Sequence, residues 1–101
     1  MVKRSDDSPT GLDRMIHEPA RLLIVTHLAA VKEADFIYLL RMTELTRGNL
    51  STHLIRLEEA GYVEITKTFE GKTPRTVCVL SKQGKVALKR YKQAMQDLLK
   101  S

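Results

Sequence analysis

The stretch LTRGNLSTHLIRLEEAGYVEI, residues 45–65, contains the change of periodicity that decides the fold. Its leucines recur at the spacing of one helical face, at Leu50, Leu54 and Leu57. Thr46 is a good N-cap for this helix, and Gly61 suits the left-handed position that follows a helix end. From residue 62 onward the pattern alternates, as in a strand. The stretch therefore predicts a helix that leads directly into a strand.

Downstream of this stretch, the sequence predicts a hairpin and a long helix. The first strand covers Tyr62 to Phe69, and Thr76 to Leu80 is its natural partner. Glu70 to Arg75 between them contains Gly and Pro, which predicts a loop with basic residues at its tip. Ser81 can cap a last helix that carries an apolar stripe, formed by Leu88, Tyr91, Met95 and Leu98.

Upstream of the central stretch, we expect three further helices. A short apolar stripe formed by Leu12, Met15 and Ile16 predicts a short helix, and a second helix is expected from about Pro19 to Val31. Asp35 can cap a third helix that ends near Met42, so only a few residues separate it from the helix that begins after Thr46. Residues 1–10 are polar and are expected to form a flexible leader, with residues 11–101 as one domain. The fold class is α+β, with about five helices and two or three antiparallel strands.

Composition limits the function as well as the size. A chain of 101 residues, 43% of them hydrophobic, can bury one modest core. Its 17 basic and 12 acidic side chains give a net charge of +5, and residues 62–101 hold nine basic against three acidic ones. This distribution favours a polyanionic partner, with nucleic acid ahead of an anionic membrane surface.

Several classes of protein are disfavoured. Cys78 is the single cysteine, and it and the three histidines do not stand at a metal-ligand spacing, so we expect no metal, no cofactor and a reducing compartment. We find no catalytic motif and therefore expect no enzyme. Apolar runs are too short to span a membrane and no signal peptide is evident, which predicts a soluble cytoplasmic protein without membrane contact.

One polar face of the predicted central helix carries the residue types that read DNA. Asn49, Thr52, His53 and Arg56 stand at i, i+3, i+4 and i+7, away from the leucine face. Asn pairs with adenine, Arg with guanine or phosphate, and the Thr methyl group touches thymine. Arg47 and Gly48 lie in the first turn, where free backbone N–H groups can meet a phosphate. The alternative is an ordinary solvated face.

The order of these elements resembles the winged helix-turn-helix transcription regulators of the MarR and ArsR-like kind. The resemblance covers residues 12–98 and is most specific in residues 45–65 and in KTPRTVCVLSKQGK, residues 72–85. It implies a recognition helix, residues 46–60, in the major groove and a basic wing, residues 67–76, at the minor groove. The Asp-x-Arg wing signature common in MarR proteins is absent.

The resemblance also implies the residues that bind DNA and a second copy of the chain. The recognition-helix set is Arg47, Gly48, Asn49, Ser51, Thr52, His53 and Arg56, and the wing set is Lys67, Lys72, Thr73 and Arg75. Such regulators, commonly repressors, bind pseudo-palindromic double-stranded DNA as homodimers. The residues expected at the dimer interface are Leu12, Met15, Ile16, Leu88, Tyr91, Met95 and Leu98.

Three alternatives stay open from the sequence. The apolar stripe of the last helix can pack on residues 12–16 of the same chain instead of on a partner. A pocket between the N-terminal helices and the last helix is an alternative site for a small-molecule effector. The whole domain can also serve as a winged-helix module that docks proteins and does not bind DNA.

Overall fold

The computed structural model describes residues 10–100, which form four helices and a three-stranded sheet. The elements in chain order are α1 (Pro19–Ala29), β1 (Ala34–Asp35), α2 (Phe36–Thr43), α3 (Arg47–Glu59), β2 (Val63–Glu70), β3 (Thr73–Leu80) and α4 (Lys82–Lys100). The sheet is antiparallel, with strand order β1-β3-β2. The predicted α+β class and the antiparallel hairpin are confirmed. The strand β1 pairs with β3 and is the third strand of the sheet. The predicted leader lies outside the described residues except for Thr10.

The fifth helix, expected around residues 12–16, does not form. The segment makes one helical turn, in which the His17 N–H donates to the Asp13 carbonyl at 2.7 Å. Asp13 also accepts the Met15 N–H through its side chain at 2.8 Å, a local bond that competes with a helix. Glu18 is extended and caps α1, and Pro19 has no N–H to continue the turn. The single turn therefore stops where α1 begins.

The helix caps predicted from sequence are confirmed. Asp35 accepts the Tyr38 N–H at 2.8 Å, and Thr46 accepts the Asn49 N–H at 3.1 Å. Gly61 follows α3 with φ of 83°, and the Tyr62 N–H donates to the Leu57 carbonyl at 2.9 Å. This hydrogen bond across the end of α3 turns the chain directly into β2.

The start of α4 is pinned to the end of α3. The Ser81 hydroxyl donates to the Gly61 carbonyl at 2.6 Å and accepts the Gly84 N–H at 3.0 Å. Gly84 lies so close to this junction that a Cβ on it would be 2.2 Å from the Tyr62 carbonyl oxygen. Only glycine allows this approach between α4 and the chain leaving α3.

The core lies where the four helices pack against one face of the sheet. Each element contributes apolar side chains that are at most 4% exposed, among them Ile24, Val25, Leu28, Leu39, Leu50, Leu54, Leu57, Val63, Cys78, Leu80 and Leu88. Cys78 is fully buried here, as expected for a small apolar residue, and burial raises the pKa of its thiol to about 11. The leucine face of α3 is thus turned inward, which leaves its polar face to solvent.

The hairpin is longer and its turn tighter than the sequence suggested. The loop expected at residues 70–75 is reduced to Gly71 and Lys72, because Gly71 adopts φ of 64° and both strands extend to the turn. Beyond Ile65 every side chain of β2 is exposed. The five residues from there to Glu70 project the hairpin tip by about 17 Å from the core.

Candidate nucleic-acid interface

The helix pair α2 and α3 is joined by three residues, 44–46, which hold α3 at the surface. Glu44 adopts a left-handed conformation with φ of 57°, and its N–H donates to the Leu40 carbonyl at 3.1 Å. The buried Thr43 donates its hydroxyl to the Leu39 carbonyl at 2.7 Å. These bonds end α2 sharply, so that α3 starts at once in a new direction.

Six of the seven predicted recognition-helix residues lie exposed on α3: Arg47, Gly48, Asn49, Ser51, Thr52 and Arg56. Arg47 and Ser51 lie on the side of α3 nearest the hairpin. Asn49 and Arg56 are four and three positions from His53, which contacts Arg21 of α1, so they lie on the side nearest α1. The exposed face therefore offers an amide, two hydroxyls and two guanidinium groups across its width. These groups can read base edges and bind phosphates.

His53, the seventh residue, is half-buried and held by Arg21 of α1. The distance between Arg21 Nη1 and His53 Nδ1 is 3.2 Å. Because a guanidinium group can only donate, His53 Nδ1 accepts this bond, which leaves the proton of the neutral ring on Nε2. The contact thus orients the ring and sets its tautomer.

Arg21 is a residue that sequence reasoning missed. Its Nε donates to the Met15 carbonyl at 2.6 Å, and its Nη2 donates to the Arg14 carbonyl at 3.4 Å. Together with His53, these bonds join the N-terminal segment, α1 and α3. Residues 21 and 53 are 32 positions apart, and no local pattern marks such a pair.

The wing residues fall into two groups. Lys67, Lys72 and Thr73 are exposed, with Lys72 in the turn itself. Arg75 instead lies along β3, where its Nε is 3.4 Å from Asp35 Oδ2 and 3.9 Å from Glu70 Oε2. The guanidinium group is thus shared between two carboxylates and is not placed at the tip.

Asp35 links the wing to α2. The Tyr38 backbone N–H lowers the pKa of the Asp35 carboxyl, partial burial opposes this, and the Arg75 guanidinium lowers the pKa again. The side chain of Asp35 therefore caps α2 and contacts β3 at the same time. It holds the base of the wing beside the helix pair.

A shallow groove separates α3 from the wing. Its floor is apolar, with Phe36, Leu54 and Ile65, and Arg47 and Lys67 lie on opposite rims. Ile55 of α3 also lines the groove and is 50% exposed. Ile55 stands off the leucine stripe of the helix, so the sequence already indicated an exposed apolar side chain there, and the predicted polar face did not include it.

Most of the residues expected at a dimer interface are buried within the chain itself. Leu12, Ile16 and Tyr91 form one cluster with Ala87, and Leu88 belongs to the main core. The Tyr91 hydroxyl is 2.8 Å from His17 Nδ1, and burial raises the pKa of Tyr91. This is the intramolecular packing that the sequence left open.

The C-terminal half of α4 is less covered. Met15 is half-buried against the main core and Met95 against the Leu12 cluster. Leu98 is 40% exposed and Leu99, which the sequence analysis did not single out, is 75% exposed. Beyond Tyr91, the exposed apolar side chains of α4 are therefore those at its end, while Val86 in its first half is 44% exposed.

A small cavity lies between the N-terminal segment and α4, lined by Asp13, Tyr62, Arg90 and Tyr91 among others. The Tyr62 hydroxyl donates to Asp13 Oδ2 at 2.5 Å across it. The effector site expected between these segments stays a prediction. Within residues 10–100, no three His, Cys, Asp or Glu side chains are grouped to hold a metal ion, and no helix is long and apolar enough to cross a membrane.

Comparisons with known proteins bear on the whole arrangement. A family model described as a winged helix DNA-binding domain matches residues 20–99. An uncharacterized protein of Methanocaldococcus jannaschii is 32% identical over 88 residues, which is 87% of this chain and 96% of that protein.

Two solved structures are similar to the chain. The structure of a transcriptional regulator homologue protein from Pyrococcus horikoshii OT3 has a TM-score of 0.80 and 29% identity, and the match covers 85% of both chains. The structure of diamide-treated YodB from B. subtilis has a TM-score of 0.76 and 18% identity, over 96% of this chain and 91% of that one. The second likeness shows a shared fold alone.

Proposed function

The chain belongs to the family of winged helix DNA-binding domains, and from this premise we propose that it represses transcription by binding an operator sequence in double-stranded DNA. In this proposal α3 enters the major groove and the wing contacts the adjacent minor groove. The role is one of binding and not of catalysis. The observation that carries it is the exposed face of α3, held outward by the buried leucines behind it.

The proposed base contacts come from the part of that face that runs from Thr52 toward α1. Asn49 is suited to pair with adenine through two hydrogen bonds, and Arg56 with guanine or a phosphate. Thr52 offers a hydroxyl and a methyl group for contact with thymine. His53, with its Nδ1 engaged by Arg21, has its Nε2–H left to donate to a base or a phosphate. Arg47, Gly48 and Ser51 lie toward the start of α3 and are assigned to the phosphate backbone.

The wing is proposed to add affinity more than selectivity. Lys67, Lys72 and Thr73 are exposed and available to the DNA backbone. The positive charge of Arg75 is less available to DNA than its sequence position suggested, because the guanidinium group lies beside the carboxylates of Asp35 and Glu70. Its proposed part is to fix the angle of the wing and, through that, the distance between the wing and α3.

A homodimer is proposed to present two copies of α3 to the two halves of a pseudo-palindromic operator. Half-sites of this kind lie about 34 Å apart, one turn of DNA. The helix α4 has 19 residues and is about 28 Å long, and the apolar side chains near its end are exposed. We assign the contact between copies to Met95, Leu98 and Leu99. The other residues pack α4 against the rest of its own chain; they are Leu12, Met15, Ile16, Leu88 and Tyr91.

The experiment that tests the proposal is fluorescence anisotropy of a mixed-sequence duplex at low and high salt. Wild type is compared with Lys67→Ala/Lys72→Ala in the wing and with Lys85→Ala/Lys89→Ala on the exposed surface of α4. Both variants lose two positive charges, so a difference between them reports location and not net charge. We expect wild-type binding that falls steeply with salt, with a flatter slope for the wing variant only.

Two outcomes would contradict this assignment. Equal losses in both variants would mean that the wing has no special role. Absence of binding by the wild-type protein at low salt would refute the DNA-binding role and favour a protein-docking module, which is the alternative that the fold allows.

A further inference from the structure

Phe69 near the tip of the wing is exposed in a way that the fold does not explain. It is 69% exposed, the largest fraction for any Phe or Tyr side chain. It lies four residues beyond Ile65, the last side chain of β2 that touches the core. Burying a phenyl ring stabilises a fold, and the protomer gains little from this ring because most of it stays in solvent.

The ring lies on the face of the wing that is continuous with the α3 groove. Phe69 pairs with Pro74 across the hairpin, and the next pairs on the same face are Lys67 with Thr76 and Ile65 with Cys78. Ile65, Lys67 and Thr76 line the groove beside α3. A molecule that covers the recognition face and this groove therefore reaches the Phe69 ring at the end of the same surface.

The surroundings of the ring favour a polyanion over an apolar surface. Lys67 precedes it on the same face and Lys72 follows it in the turn. Glu70, the next residue after the ring, lies on the opposite face of β2 with its Oε2 3.9 Å from Arg75 Nε. Pro74, which pairs with the ring across the hairpin, has a fixed φ and therefore stiffens β3 beside it. The combination of an exposed apolar ring, a rigid proline and two flanking cations is typical of side chains that wedge into a minor groove.

We propose that Phe69, supported by Pro74, is an apolar wedge that enters the minor groove of duplex DNA and kinks it by partly unstacking one base step. This proposal rests on the proposed function and adds a bend to it. The lysines on either side neutralise phosphates, while the ring acts on the bases. Flexible steps such as TA are the cheapest to unstack and are the preferred position for the wedge.

The test uses a short duplex with central TA steps and with donor and acceptor dyes at its two ends. Wild-type protein is expected to bind and raise energy transfer between the ends. The Phe69→Ala protein is expected to bind roughly 10- to 100-fold more weakly and to leave energy transfer at the value of free DNA. Phe69→Leu keeps an apolar wedge and is expected to retain most of the bend.

The matched control is Thr68→Ala, the neighbouring exposed residue on the opposite face of β2. It is expected to behave as wild type. Salt dependence separates an apolar wedge from an electrostatic contact. Phe69→Ala keeps the wild-type slope of log affinity against log salt concentration, whereas Lys72→Ala reduces the magnitude of that slope by about one. All three side chains are exposed, so circular dichroism is expected to show unchanged melting.

The inference is overturned if Phe69→Ala binds and bends the duplex as wild type does, if wild type binds without bending, or if Thr68→Ala loses as much as Phe69→Ala. Each of these results leaves DNA binding itself intact. Absence of salt-dependent binding by wild type refutes the proposed function and is recognised separately by that result.

Discussion

Replacing Gly84 with alanine tests the junction on which the position of α4 depends. A Cβ at this site would stand 2.2 Å from the Tyr62 carbonyl oxygen and 2.7 Å from Leu80 Cδ1. Leu80 can rotate, but the carbonyl belongs to the backbone. The same carbonyl accepts the Ser81 N–H at 2.9 Å, so it is held in place from the other side.

The expected destabilisation follows from how the clash is relieved. The first turn of α4 must move by about 1 Å, which strains or breaks the Ser81 cap and costs about 1 kcal/mol for the cap and about 1 to 3 kcal/mol for overpacking. Alanine gains back up to about 1 kcal/mol of helix propensity. The net loss is about 1 to 4 kcal/mol, or a fall in melting temperature of roughly 5 to 30 °C for a domain of this size.

The assay is thermal unfolding followed by circular dichroism, with Gly48→Ala as the matched control. Gly48 is also helical, in α3, and a Cβ there meets nothing within 4 Å. That variant is expected to melt at the wild-type temperature or a few degrees above it, because it gains propensity without a clash. If Gly84→Ala melts at or above the wild-type temperature, the close approach to Tyr62 does not constrain the fold and the reasoning is wrong.

Three further outcomes are expected. Asn49→Ala should lose about 1 to 3 kcal/mol of discrimination at one or two base pairs of a selected duplex without changing the salt slope, and a uniform loss at all positions would remove Asn49 from base reading. Asp35→Asn keeps a cap on α2 but loses the charge beside Arg75. Because the folded pKa of Asp35 is lowered, its contribution is present above the unfolded value near 3.8 and disappears as the pH falls through the folded pKa. Urea unfolding should therefore show the variant less stable by up to ~1 kcal/mol near neutral pH and equal to wild type in strong acid; an equal difference at both would contradict the pairing. Leu99→Glu should shift sedimentation toward a monomer without lowering the melting temperature, and an unchanged mass would move the contact between copies away from the end of α4.

Local signals in the sequence were sufficient for most of the architecture. The caps at Asp35, Thr46 and Ser81 and the glycine after α3 were predicted because each acts within one helical turn of its own position. The change from helical to alternating periodicity at residue 62 placed β2 for the same reason. Where two local signals competed, as around Asp13, the apolar stripe was misread as a helix.

The sequence by itself thus determined the order of α1 to α4 and the hairpin, the inward face of α3 and the residue types on its outward face, but not β1. Only the tertiary structure decided which of those groups are free to bind. Arg75 is held by Asp35, 40 positions away, and His53 by Arg21, 32 positions away. Tyr91 packs with Leu12 of the same chain. Such pairings depend on how complete elements dock against one another, and the short-range preferences that set caps and periodicity carry no information about that docking.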